Sequence, residues 1–166
     1  KTGENIFHMK KTFAGLAEEL GLTENELMDS IGTARQKLFV ARYKRVHPHK
    51  DDKVLTDWNG LMIAALAKGA RVFDMPEYAE AARNACDFIL NKMRRPDGRL
   101  LHRYRDGQAA IPAYLDDYAF FISGLIEVYE ATFDARYLKT ALELNNDLIK
   151  HFWDERSGGF YFTPDD

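Results

Sequence analysis

The densest run of ionisable and aromatic side chains is RVHPHKDDKVLTDWNG, residues 45–60, and it leads directly into the apolar stretch LMIAALA. Carboxylates, imidazoles and an indole together suit proton transfer on a hydroxylated substrate. Paired carboxylates act as general acid and base on a glycosidic bond, histidine titrates near neutrality, and an indole face stacks on the apolar face of a sugar ring. A second concentration, AYLDDYAFF, carries Asp116 and Asp117. Asp117 is the first candidate for a general acid or base, with Asp52 and His49 behind it. Trp58, Asn59, Asp116, Tyr118, Arg45 and Lys53 are candidate substrate contacts, and Arg45 and Lys53 also flank the Asp51–Asp52 pair closely enough to hold it ionised.

Each candidate has a plainer reading. Aspartate is a preferred helix N-cap, so Asp57 and Asp116 read equally well as caps; within Asp116–Asp117, one residue can cap while the other faces the substrate. Trp58 also suits core packing. Tyr104, Tyr114 and Tyr118 extend an aromatic lining under the same reservation, and His102 faces either a cavity or solvent. His47 and His49 lie on a loop broken by Pro48 and share no fixed face, and no HEXXH pattern is present, so neither a metal nor another cofactor is expected. The basic run RYKRVHPHK, residues 42–50, is a weaker candidate for a phosphate site.

The elements that position these residues follow from a repeat. Asp57 falls on Asp116, Leu66 on Leu125, Tyr78 on Tyr137 and Ala82 on Ala141 at an offset of 59, and Gly98 falls on Gly158 at 60. A period of about 60 is longer than the common solenoid repeats and accommodates two helices with a short connection. In each unit the first helix, GLMIAALA or YAFFISGLIEVY, is apolar nearly all round. The second is two-faced, with Tyr78, Ala81, Ala85, Phe88, Ile89 and Met93 in one unit and Tyr137, Ala141, Leu144, Leu148 and Phe152 in the other. Pro76 suits a first helical turn, Asp134 an N-cap, and Thr23 with Glu26 a capping box for a helix running to about Arg45. RPDGRLLHRY and RSGGFYFT read as short extended or turn segments. The pattern predicts an all-α fold, a partial α/α toroid of repeated hairpins with short extended connections, a plain helical solenoid being the rival. In a toroid the inner-helix N-termini meet at one rim, which gathers Asp57, Asp116 and Asp117 where helix dipoles favour negative charge. A partial ring should also leave inner-helix surface such as FFISGLI exposed.

Composition narrows the classes. With 46% hydrophobic and 30% charged residues the chain is an ordinary globular sequence, and a net charge of -3 gives no reason to expect nucleic acid as a partner. No apolar run approaches the ~20 residues of a membrane span, so no membrane partner is expected and the location is expected to be cytoplasmic. The single cysteine, Cys86, excludes an internal disulfide and a cysteine-based zinc site, and its apolar neighbours predict a buried thiol. Residues 1–166 are expected to form a single segment, and a start at Lys1 without methionine is expected of a piece of something longer.

DDKVLTDWNGLM (51–62), within ARQKLFVARYKRVHPHKDDKVLTDWNGLMIAALA, resembles the thioredoxin-domain-containing proteins of the YyaL and spermatogenesis-associated protein 20 type. LDDYAFFISGLIEVYEATFD and FWDERSGGFYFT extend the resemblance over nearly the whole chain. It implies a longer parent with an N-terminal thioredoxin-like domain, absent from this sequence, as an intramolecular partner. It also implies an α/α barrel akin to six-hairpin glycosidases and N-acylglucosamine 2-epimerases. The expected function is carbohydrate-active: sugar or polyol binding, with hydrolase or epimerase chemistry in the intact parent. The alternative is a non-catalytic binding or scaffold domain serving the thioredoxin-like partner.

Overall fold

A computed structural model describes residues 8–165, and the chain divides into two compact units at Lys50 and Asp51. The first contains α1 (Phe13–Leu20) and α2 (Glu24–Tyr43). Thr12 caps α1, and Gly21 ends it in the left-handed conformation that glycine adopts without a Cβ clash. The capping box forms as expected: the Thr23 hydroxyl accepts from the Glu26 N–H at 3.2 Å, and the Glu26 carboxylate accepts from the Thr23 N–H at 2.9 Å. These bonds hold the Glu26 carboxyl below its usual range.

The second unit runs β1 (Val54–Leu55), α3 (Thr56–Phe73), α4 (Pro76–Lys92), β2 (Leu101–Arg105), β3 (Gln108–Pro112), α5 (Leu115–Thr132) and α6 (Ala135–Phe152). The repeat is structural. α3 and α5 begin 59 residues apart, as do α4 and α6, and the inner helices end in left-handed caps at Asp74 and Phe133. Each outer helix is followed by a matching bridge, Arg94↔Leu100 and Trp153↔Phe160.

The apolar periodicity is satisfied by inner helix against inner helix. α3 and α5 make the most extensive contact, with α4 packed on α3 and α6 on α5. The α3–α5 crossing is close because both helices present glycine there: a Cβ on Gly60 would lie 2.6 Å from the Phe120 carbonyl carbon, and one on Gly124 would lie 2.9 Å from the Gly60 oxygen. The core gathers Ile63, Phe121, Leu125, Ile89, Tyr137 and Phe152, all at most 2% exposed. On α6 all five expected apolar positions face it. On α4, Ala81 is exposed, and Ala82 and Cys86 take the buried stripe. The expected exposure of FFISGLI is seen only at Ser123 and Ile126: Phe121 and Leu125 are buried, and more open inner-helix surface lies on α3 at Leu61, Met62, Val72 and Phe73.

The connection after α4 is more ordered than a turn. β1, β2 and β3 form an antiparallel sheet in that order, and Asp106 and Gly107, with φ of 51° and 78°, make the two-residue hairpin loop whose twist suits paired strands. No helix among the described residues is long and apolar enough to cross a membrane.

Candidate functional site

Both inner helices start earlier than their aspartates suggest. Thr56 opens α3 and Leu115 opens α5, so Asp57, Asp116 and Asp117 lie inside first turns rather than before them. Neither Leu55 nor Tyr114, the residues at the cap positions, contributes a side-chain cap bond. Asp117 supplies the missing acceptor for both helices. Its Oδ1 accepts from the Asp57 N–H at 2.9 Å and its Oδ2 from the Tyr114 N–H at 2.8 Å, so one carboxylate takes orphan donors from two helix N-termini.

The third partner is His102, whose Nδ1 is 3.0 Å from both oxygens of Asp117. The first residues of β2 are pinned so that the imidazole arrives there. The Leu100 N–H donates to the Tyr118 hydroxyl at 3.1 Å, and the Thr56 hydroxyl donates to the Leu101 carbonyl at 2.7 Å. Since an ionised carboxylate only accepts, Nδ1 carries the proton in this pair, and Nε2 is left for exchange. Asp117 is 1% exposed, against 19% for the His102 side chain, so only the imidazole can meet a ligand. Burial pushes the Asp117 carboxyl up; the bonds from Tyr114 and His102 pull it back, and Asp57 adds to the rise.

Asp57, His102 and Asp117 each offer a ligand atom within 4.8 Å of the others. A cation there would face two converging helix N-termini, whose dipoles favour negative charge, and would compete with the N–H donors that already fill Asp117. The arrangement is that of a hydrogen-bonded acid–base pair. Tyr114 borders it: its ring meets the imidazole edge-on at 5.0 Å and stacks on Phe162 at 5.2 Å, while the Leu115 N–H donates to the Phe162 carbonyl.

The remaining candidates sit as follows. Trp58 is 69% exposed beside Asp57, whose carboxylate accepts the Trp58 N–H at 2.7 Å. The Asn59 amide donates to the Leu55 carbonyl at 2.8 Å, and Asp116 is exposed. Tyr118 is not a lining residue: it is 2% exposed, packed on Phe152, with its hydroxyl taken by Leu100. Asp52 lies 3.0 Å from Arg105 Nε, an ion pair not aligned as a hydrogen bond, and Lys53 pairs with Asp51. His49 and Arg45 are exposed in the first unit. The sequence alone leaves His102 undecided and does not point to Phe162; the Asp106–Gly107 pair signals the hairpin that carries His102 but not which of its faces meets the helices.

The paired inner and outer helices and the rim-end connections define a class, the six-hairpin glycosidase-like α/α fold, of which this chain is a part. The model matches cellobiose 2-epimerase from Spirochaeta thermophila with a TM-score of 0.60 at 20% identity, over 66% of this chain and 28% of that one. It matches a D-mannose isomerase equally well at 21% identity, and the GH76 α-mannanase BT2949 of Bacteroides thetaiotaomicron with a TM-score of 0.57. At these identities the likeness is one of fold. No family model matches the chain. In sequence, the chain is homologous to one segment of spermatogenesis-associated protein 20: it is 30% identical to the human protein and 32% to the mouse protein, over 96% of its length. An uncharacterised Caenorhabditis elegans protein is 33% identical over 98% of it. The chain spans about a fifth of the length of these relatives.

Proposed function

We propose that this chain forms part of the wall of a carbohydrate-binding cavity in a longer protein, with His102 as the proton-transfer group and Asp117 as the residue that orients it. The observation that carries this reading is the Nδ1 contact of a part-exposed imidazole with a sealed carboxylate, which leaves Nε2 to act. Such an orienting acid fixes the tautomer of a general base without itself meeting substrate. Asp117 therefore moves from first candidate for acid or base to positioning residue. Two-carboxylate hydrolysis needs both carboxyls open to the glycosidic bond, whereas one imidazole can take a proton from a sugar carbon beside a carbonyl and deliver it to the neighbouring carbon of the enediol on the same face. An epimerase adds a second acid on the opposite face, supplied from outside this segment. Epimerisation or isomerisation is thus favoured over hydrolysis, and fold neighbours that include a cellobiose 2-epimerase and a D-mannose isomerase agree with that choice. Trp58 and Asn59, beside Asp57, remain the proposed substrate contacts.

The test is a screen of the full-length protein against mono- and disaccharides and polyols, by calorimetry and product analysis. His102→Gln should lower turnover by roughly 100-fold or more with the fold retained. Unchanged turnover, or no ligand in the panel, would remove the reading. A second reading, a scaffold for the thioredoxin-like domain that the resemblance implies, is favoured by the same Asp117 bonds to two helix starts. It expects Asp117→Asn to lower Tm and alter association while no sugar binds.

A further inference from the structure

We propose that Ile111 is a positioning residue, held in a left-handed backbone conformation so that one flank of the His102 imidazole stays clear for a neutral polyhydroxylated ligand. The proposal rests on the reading of His102 given above. Pairs Arg103↔Ala110 and Leu101↔Pro112 bracket His102 and Ile111 and set them opposite each other, yet the regular ladder is interrupted between them. In an unbroken antiparallel ladder their Cβ atoms would stand about 4.5–5.5 Å apart on one face, with the branched side chain lying against the imidazole.

The backbone avoids that arrangement at a cost. Ile111 has φ of 68°, a region that β-branched residues rarely enter, and it precedes Pro112, where the chain is ordinarily extended. Its side chain is 41% exposed and stands outside the core cluster, although Ala109, two residues earlier on the strand, packs against that cluster. Irregularities of this kind re-aim side chains and concentrate beside functional groups. Tyr114 and Asp117 hold the imidazole on its other sides. The vacated flank, bounded by an exposed apolar side chain, suits the C–H face of a sugar or polyol whose hydroxyl or carbon-bound proton approaches Nε2.

The experiment is carbethoxylation of the intact protein with diethyl pyrocarbonate, resolved by peptide mapping. His151 serves as the internal reference because it also bonds an aspartate, Asp165, through Nδ1 and is 15% exposed. Ile111→Pro enforces a negative φ and should cost His102 most of its modification relative to His151; a folded variant with the wild-type ratio would overturn the proposal. Ile111→Gly tolerates the left-handed backbone, so it should keep the wild-type ratio; a ratio that falls as far as in Ile111→Pro would contradict the role given to the backbone conformation. If the proline variant does not fold, nuclear Overhauser contacts in the wild type decide. Contacts between Ile111 methyls and His102 ring protons are expected to be absent, and their presence would overturn the proposal. None of these readouts needs a substrate, so a protein that binds no sugar would fail the functional reading and the ligand named here, while the positioning by Ile111 stands or falls on these readouts alone.

Discussion

Asp117 and His102 divide one task between them. The sealed carboxylate satisfies backbone donors from two helices and fixes a ring nitrogen, and the imidazole presents the other nitrogen outward. The sequence singled out Asp117 as one of two adjacent acids at the start of an apolar helix, where one can cap while the other serves another role. His102 was not, because its partner lies 15 residues on and its face depends on a hairpin register that local pattern does not give. Tyr118 was misjudged for a related reason: an aromatic one residue past a rim aspartate points into the core on a helix, and its hydroxyl completes a backbone bond there. Cys86 tests burial at this scale. Burial pushes its thiol from 9.0 up to about 12, so the protonated form is favoured in the folded chain. The stability this contributes is present in full below pH 9 and is lost as pH rises through about 12. A disulfide reagent at mildly alkaline pH should leave Cys86 untouched in the native protein and react at once on unfolding; fast native reaction would contradict the burial.

Among the elements, the α3–α5 pair sets the geometry of the site, since one carboxylate spans their first turns. That pairing depends on Gly60 and Gly124, where the backbones meet too closely for a side chain. Gly60→Ala inserts a methyl against the Phe120–Phe121 peptide, which cannot yield as a flexible side chain would. It should therefore destabilise the fold by about 1–3 kcal/mol or more, despite alanine's better helix propensity. Urea unfolding measures this, and a neutral or stabilising result would mean that the helices are farther apart. The hydrophobic period gave helix type and the inner–outer distinction, and capping signals gave three of the starts. The α3 and α5 starts were misjudged by two and three residues: the acceptor for α3 comes from across the interface, where no local signal exists to read, and the acceptor for α5 is Asp117, already inside its first turn.

At the level of the whole molecule, the 59-residue offset is the feature the sequence carried most clearly, and the starts of all four repeated helices and the left-handed caps of the inner pair obey it. Apolar side chains stand exposed on α3, and the chain spans about a fifth of the length of its relatives. The sheet was less visible because β1 is two residues long and its pairing is tertiary. Under the proposed function, this segment contributes one oriented imidazole. The most direct measurement is nitrogen-15 NMR of labelled histidine in the full-length protein at neutral pH. His102 is expected to carry a proton on Nδ1, and the Nε2–H tautomer is expected in Asp117→Asn, whose amide can donate to Nδ1. A wild-type His102 protonated only on Nε2, or a tautomer indifferent to Asp117→Asn, would contradict that role for the pair.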